Sequence, residues 1–343
     1  MKRNTKNDLF VRAARGERTP LTPIWLMRQA GRTDPEYVKL KDRAGLPLER
    51  LFRHPELAAE ISLLPRRIGV DAIIFFQDIL IPLAPMGAEF VFAPGPVLSE
   101  RLDADALSRL HIYDVGAELP FVPETFRLIR HSLDHALPVL GFAGAPLTLA
   151  MYLIEGQGVG DQADKALSLV AEQPHALRDL LNKLTTLTID YLKMQIEAGA
   201  AAVQLFESLA HLLSADIYRE FALPYQQQVF DALKGLAPTI LFARKWSDLE
   251  MLHASGADIL SLGCETTIAG ARDRLGRDRI LQGNLDNKLL AYGTLVDITD
   301  AARGCVISGG QRGHIFNLSH GLLRETPFEN VVHLIKVVHE TTI

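Results

Sequence analysis

Two arginines four positions apart, Arg28 and Arg32, stand in the run Met27-Arg28-Gln29-Ala30-Gly31-Arg32. A guanidinium offers a planar fork of donors, and two of them side by side repel unless an anion lies between. Residues four apart share one side of a helical turn, so the spacing points to a carboxylate or phosphate site. The plain alternative is a pair of surface ion pairs with Asp34 and Glu36. Asp78 lies between Ile73-Ile74-Phe75-Phe76 and Ile79-Leu80-Ile81. A carboxylate set among apolar residues is costly to bury without a partner. It reads either as an anion facing N–H donors or a developing cation, or as a helix cap or structural ion pair.

Other polar residues carry weaker signals. Tyr152, in Leu149-Ala150-Met151-Tyr152-Leu153-Ile154-Glu155-Gly156, fits core packing with its hydroxyl at a rim. Ser208 lacks the G-x-S-x-G surroundings of a nucleophile elbow. His320 is one of 11 histidines, and a lone histidine is usually structural. Cys264 and Cys305 have no CxxC partner and no tight histidine cluster, which disfavours a metal centre. Lys245 invites a Schiff-base reading, but Arg244 and Asp248 beside it suggest an exposed charged loop. No phosphate-cradling loop or dinucleotide fingerprint appears.

Positioning these residues requires elements. Short, continuously apolar runs occur at Pro23–Leu26, Val70–Phe76, Pro138–Phe142, Ala201–Phe206, Thr239–Phe242, Asp258–Leu262, Arg279–Gln282 and His314–Leu318. Such runs suit strands buried on both faces. Helical patterns lie between them. Pro55 to Gly69 opens on a proline suited to a first turn. Pro174 to Gly199 places Leu177, Leu180, Leu181, Leu184 and Leu187 on one face. Ser214 to Gly235 begins with a serine cap and is kinked or divided at Pro224, and Pro327–Glu340 closes the chain. Strands alternating with helices predict a single (β/α)8 TIM-type barrel over residues 1–343, with about residues 1–18 as an N-terminal extension. An open doubly wound sheet is the alternative. A long excursion separates the second and third strands. In a barrel the chemistry gathers at the C-terminal strand ends, where Arg28, Asp78, Ser208 and His320 all fall.

The chain has 343 residues, 48% of them hydrophobic, and a formal net charge of −5. That balance argues against general nucleic-acid binding, while a local arginine cluster can still hold a small anion. Two cysteines make no disulfide framework. The N-terminal charges do not suit a signal peptide, and no apolar run is long enough to span a bilayer. The expectation is a soluble cytoplasmic protein.

At Pro23-Ile24-Trp25-Leu26-Met27-Arg28-Gln29-Ala30-Gly31-Arg32 the chain resembles the uroporphyrinogen decarboxylase family. Gly141-Phe142-Ala143-Gly144-Ala145-Pro146-Leu147-Thr148-Leu149, continuing to Tyr152, is similar to that family's second signature. Further similarity lies in Phe76-Gln77-Asp78-Ile79-Leu80, Gln204-Leu205-Phe206-Glu207-Ser208, Gln282-Gly283-Asn284-Leu285-Asp286 and Asn317-Leu318-Ser319-His320-Gly321. The resemblance implies a single-domain (β/α)8 barrel, a homodimer and no metal or organic cofactor. It implies removal of CO2 from the four acetates of uroporphyrinogen. By the same resemblance Arg28 and Arg32 bind substrate carboxylates, with the backbone of Gln29, Ala30 and Gly31 nearby. Asp78 accepts from the pyrrole N–H groups, and Tyr152, Ser208 and His320 contact the substrate rim. Arg28 is placed with Asp78 in the chemistry, but arginine is almost never deprotonated, so it acts only through a substrate carboxylate or water that relays the proton.

The chain departs from the family pattern at Thr33-Asp34, Leu147, His211, Gly263-Cys264 and Ser319. Asp34 adds an anion close to a site for anions. Two other functions fit part of the sequence. A corrinoid-dependent thiol methyltransferase would use zinc ligands, for which only Cys264 and His211 are nearby. A non-catalytic tetrapyrrole-binding protein would bind without releasing CO2.

Overall fold

The computed structural model describes residues 8–92, 95–100, 102 and 104–343. Of the expected N-terminal extension, residues 1–7 lie outside the described residues. The rest is packed: a short helix Leu9–Ala13 buries Phe10 and Ala13, and Arg312 donates to the Gly16 carbonyl at 2.7 Å.

Nine strands occur among the described residues. They are β1 (Ile73–Ile74), β2 (Phe90–Phe92), β3 (Pro96–Leu98), β4 (Val139–Gly144), β5 (Ala202–Glu207), β6 (Thr239–Ala243), β7 (Ile259–Ser261), β8 (Ile280–Gln282) and β9 (His314–Ile315). Seven form one parallel sheet in the order β1-β4-β5-β6-β7-β8-β9, with helices between successive strands. Every residue of β4 and of β6 is buried, as the unbroken apolar runs require. Each strand-to-strand step in this sheet is parallel, so all the C-terminal ends share one face.

The run expected as the first strand is a correction. Pro23–Leu26 is no strand; it makes one parallel bridge, Ile24 to Phe316, beside β9. The physical reason lies in its donors. Pro23 has no N–H, and the Ile24 N–H goes to the Asp71 carboxylate at 2.8 Å rather than to a neighbouring carbonyl. The Leu26 N–H goes to the Gln29 side chain at 2.9 Å. The carbonyls still serve both neighbours: Phe316 N–H donates to Pro23 at 2.8 Å and Asp71 N–H to Ile24 at 2.7 Å. The sheet is thus a curled seven-stranded one, with a segment beside β9 that is held by three backbone bonds, including Trp25 N–H to Phe316 at 3.3 Å, and by the side chains of Asp71 and Gln29.

The helical expectations hold with instructive detail. Pro55–Leu63 is α-helical, continues as a tighter turn over Leu64–Ile68 and stops at Gly69, which has φ 88°. Pro174–Glu197 buries the predicted leucine face. Ser214 caps its helix by accepting from Ile217, and a wider π turn, Tyr218–Ala222, comes immediately before the helix Leu223–Leu233. Pro224 lacks the N–H that a continuous helix would need, so the ladder loosens there.

The excursion between β1 and β4 contains an antiparallel hairpin, β2 with β3. Leu98 N–H donates to Gly156 at 2.9 Å, tying the hairpin to the end of the helix Pro146–Glu155. Ahead of β1, the helices Pro35–Ala44, Leu48–Phe52 and Pro55–Leu63 build a second apolar cluster that includes Phe76 and Ile81. Among the described residues no helix is long and apolar enough to cross a membrane.

Asp71 holds the join between the sheet edges, because its Oδ2 also meets His339 Nε2 at 2.9 Å. Asp71→Ala leaves buried donors without an acceptor. Urea unfolding should show a loss of about 1–3 kcal/mol, with altered fluorescence from the buried Trp25.

Candidate active site

The arginine turn is held by two side-chain anchors and one backbone bond. Gln29 Nε2 donates to the Ala72 carbonyl at 2.9 Å, and Asn317 Oδ1 accepts the Met27 N–H at 3.0 Å. Leu322 N–H donates to the Met27 carbonyl at 3.0 Å, laying the loop after β9 over the turn. Arg28 and Arg32 are not on a helix. They have φ 65° and 55°, with Gly31 at 107°, so the chain coils through left-handed backbone at these positions. That conformation is unfavourable for arginine and persists only where the surroundings enforce it. Gly321 is required as well, because a Cβ there would stand 2.5 Å from Arg28 Cδ.

The ion-pair alternative for Arg32 is excluded by where its presumed partners point. Asp34 is 2% exposed, caps the helix Pro35–Ala44 through Glu36 N–H at 2.9 Å, and pairs with both Nη atoms of Arg67. Glu36 pairs with Lys39 at 2.9 Å. The extra anion is therefore neutralised away from the turn. Among the described residues neither Arg28 nor Arg32 has a hydrogen-bonded carboxylate.

Asp78 follows β1 and is half-buried. Its Oδ1 accepts the Leu80 N–H at 3.0 Å in a local turn that caps no helix, while Oδ2 accepts no hydrogen bond among the described residues. Burial pushes the carboxyl above its ordinary range, against the pull of the Leu80 amide, Arg28 and Arg32. The arginines are depressed in turn: Arg28 by burial, then by Arg244 and Arg324 against Asp78 and Tyr152; Arg32 by burial and Arg28, down to about 10. Arg28 is exposed by surface area and still feels this desolvation.

Tyr152, on the helix Pro146–Glu155, is half-buried and meets Phe90 edge-on at 6.5 Å, so the hairpin backs it. Burial and Asp78 raise its phenol, and it stays protonated at neutral pH. Its field, with that of Arg244, couples it to Arg28 and Asp78. His320 packs edge-on to Phe242 at 5.7 Å and is pushed down to about 3 by burial, then by Arg28 and Arg244. The imidazole is neutral at physiological pH, so it cannot serve as a cationic acid. Ser208 is half-buried immediately beyond β5. Arg28, Arg32, Asp78, Tyr152 and His320 are thus brought within one another's electrostatic reach. For Gln29 only the backbone is available, since its side chain is committed to the turn; Ala30 is half-buried beside Gly31.

Two groups carry structure without having been assigned a role from sequence. Gln282 accepts from Trp25 Nε1 at 3.0 Å and donates to Gln204 and Ser261, both at 2.9 Å. This buried polar layer joins the ends of β5, β7 and β8 to the segment before the arginine turn. Glu207, fully buried, accepts from Thr148 Oγ1 and from Gln226 Nε2 at 3.0 Å. Burial raises it to about 7 against those hydrogen bonds. The sequence signal was present in both cases: amide and acid residues inside otherwise apolar strand runs.

The remaining departures are placed as follows. Leu147 is core, and Ser319 Oγ accepts the Asn287 N–H at 3.3 Å. Gly263 accepts from Asn284 at 2.8 Å, and Cys264 is exposed. Among the described residues no three His, Cys, Asp or Glu side chains gather to hold a metal ion.

A family model described as uroporphyrinogen decarboxylase matches residues 5–341. The chain belongs to the uroporphyrinogen decarboxylase family. It is 42% identical to the uroporphyrinogen decarboxylase of Carboxydothermus hydrogenoformans over 342 residues, covering 97% of this chain and 96% of that one. The same enzyme from Sorangium cellulosum is 41% identical over 340 residues, with the same coverage. Among solved structures, a methyltransferase from Methanosarcina mazei superposes with a TM-score of 0.83 over 98% of this chain and 99% of that one. At 21% identity this likeness concerns the fold alone.

Glu207 generates a prediction with a definite sign. A carboxyl raised in the folded state from 4.5 to about 7 binds its proton more tightly folded than unfolded. Stability should therefore fall as pH rises through that interval. In Glu207→Gln that component of the loss should be absent, read from urea unfolding at a series of pH values.

Proposed function

We propose that this chain decarboxylates uroporphyrinogen III, turning its four acetate side chains into methyls to give coproporphyrinogen III and four CO2. The observation that carries the reading is the Asp78 carboxylate, with one oxygen uncommitted, placed in the field of two guanidiniums that have no carboxylate partner of their own.

Breaking the bond to CO2 leaves an electron pair that needs a sink. Protonating a pyrrole ring carbon makes the ring cationic, and the C–C electrons then flow into it. The resulting exocyclic methylene takes up a proton as the ring carbon loses one, so each acetate consumes one proton in net terms. Asp78 accepts from the pyrrole N–H groups and opposes the developing ring charge, more in the transition state than in the neutral ground state. Its raised pKa suits this role: the empty site disfavours the anion, and the ring cation restores it. Arg28 and Arg32 bind substrate carboxylates and position the reacting acetate. The proton enters through water or a substrate carboxyl held at Arg28, since His320 is neutral and Tyr152 a weak acid. The Gln29–Gly31 backbone, Ser208, Tyr152 and His320 contact the substrate rim.

The same reading includes a closed single-domain (β/α)8 barrel, with Pro23–Leu26 completing the ring between β1 and β9, a cytoplasmic location and a homodimer working without metal or organic cofactor. The bonds from Pro23 and Ile24 to both sheet edges support the closure. The net charge of −5 supports a small-molecule substrate over nucleic acid. Sedimentation tests the dimer. The thiol-methyltransferase reading gains nothing from Cys264, whose thiol burial and Glu265 raise rather than activate.

The decisive assay incubates the protein, without added metal, with anaerobically reduced uroporphyrinogen and follows CO2 and side-chain loss. Products with seven or fewer carboxylates are expected; an unaltered substrate would sink the proposal. Asp78→Asn should lower turnover by roughly 10²-fold or more while substrate still binds. Arg32→Ala should weaken substrate affinity, and unchanged KM and turnover would remove Arg32 from the site.

A further inference from the structure

A cationic cluster outside the groups just assigned lies at the ends of β5 and β6. Arg244 follows β6, and its amide donates to the Glu207 carbonyl at 3.0 Å, which fixes it alongside Ser208. Lys245 comes next, with φ 51°, so the chain turns sharply beside it. Asp248, the nearest acid in sequence, is committed as a helix cap to the Met251 N–H at 3.0 Å. Among the described residues neither Arg244 nor Lys245 pairs with a carboxylate.

The third member is His211, in the short turn Ala210–Leu212 after β5. Its side chain is only 8% exposed, and neither Nδ1 nor Nε2 makes a hydrogen bond of ordinary geometry, although the Gly160 backbone and Asp161 both draw on the ring. Asp161 stands 3.9 Å from Nε2 and is itself 90% exposed, beyond bonding distance. Buried ring nitrogens left without partners are costly unless a ligand supplies what is missing. Burial, Arg244 and Lys245 push the imidazole down to about 4, against Asp161 and the Gly160 backbone, so it presents one neutral N–H donor. Arg244 stands at the same strand ends as Ser208, held there by its bond to Glu207, and its charge reaches Arg28, Tyr152 and His320.

We propose that Arg244, with Lys245 and His211, forms a second carboxylate-binding lobe, which takes a peripheral side-chain carboxylate of the macrocycle that is not reacting. The proposal rests on the decarboxylase reading and adds a specificity element to it. A ring with carboxylates around its whole rim needs anchors on more than one side. The pair Arg28 and Arg32 can hold only the carboxylates that face it. A non-reacting carboxylate is gripped equally in ground and transition states, so this lobe should govern KM rather than kcat.

Arg244→Gln should raise KM for uroporphyrinogen roughly tenfold or more, with kcat changed by less than about twofold. The affinity for uroporphyrin, the oxidised octacarboxylic ring, should fall in parallel by fluorescence titration. Arg244→Lys keeps the charge but loses the fork, and should lie between the two; it decides the matter if the glutamine variant does not fold. His211→Ala should raise KM several-fold, whereas Asp161→Ala should not, which separates ligand contact from support of the Asp161 loop. Wild-type release of CO2 together with unchanged KM and uroporphyrin affinity in the Arg244 and His211 variants would overturn the lobe and leave the decarboxylase reading intact. Loss of uroporphyrin binding in Arg244→Gln without CO2 release by the wild type would uphold the lobe and sink that reading.

Discussion

One electrostatic conflict organises this protein: a carboxylate and several guanidiniums stand close together at the C-terminal ends of the strands, partly withdrawn from water. Asp78 is pushed up by burial and pulled down by Arg28 and Arg32, while the arginines are depressed by burial and by one another. Such an arrangement is incomplete without a ligand that carries both N–H donors and anions. A pyrrolic ring with a carboxylate rim has both. Had Asp78 formed a tight pair with either arginine, the site would be satisfied while empty and would have less reason to bind.

Maintaining that conflict requires a rigid support, which the fold supplies through polar side chains placed where backbone ladders fail. Asp71, Gln29 and Asn317 take over hydrogen bonds that Pro23 and the arginine turn cannot make with neighbouring strands. The Trp25–Gln282–Gln204–Ser261 layer lies beneath, and Glu207 ties β5 to Thr148 on the helix that carries Tyr152. Buried polar networks of this kind are stabilising only when each member is satisfied. The cost of a broken member should therefore appear as lost geometry at the site as much as lost stability.

The electrostatics also sort the possible proton donors. His320 is kept neutral by burial and by the positive charge of Arg28 and Arg244, whereas Tyr152 stays protonated through burial and the negative charge of Asp78, against those same arginines. On the proposed mechanism the acid is then a substrate carboxyl group or water. This fits an enzyme family whose substrate arrives with many such groups, and it makes arginine a holder of acids rather than an acid.

Strand existence was legible from the amino acids because parallel strands buried on both faces leave an unbroken apolar run. Seven of the eight predicted runs are strands, and the helix stops at Gly69 and before Pro224 follow from local backbone chemistry. That Arg28, Arg32 and Asp78 are unusual side chains for their surroundings was legible too, from charge set against apolar neighbours. Their geometry was not. The arginine turn runs through left-handed backbone held by Gln29 against Ala72 and by the Asn317–Gly321 segment, two parts of the chain distant from it in sequence. Whether Asp34 disturbs the site depended on Arg67, distant in sequence but within bonding reach. Local propensity is written residue by residue, whereas burial, field and partner choice are sums over the folded whole; that is why the sequence determined which groups matter and only the tertiary structure decided what each faces.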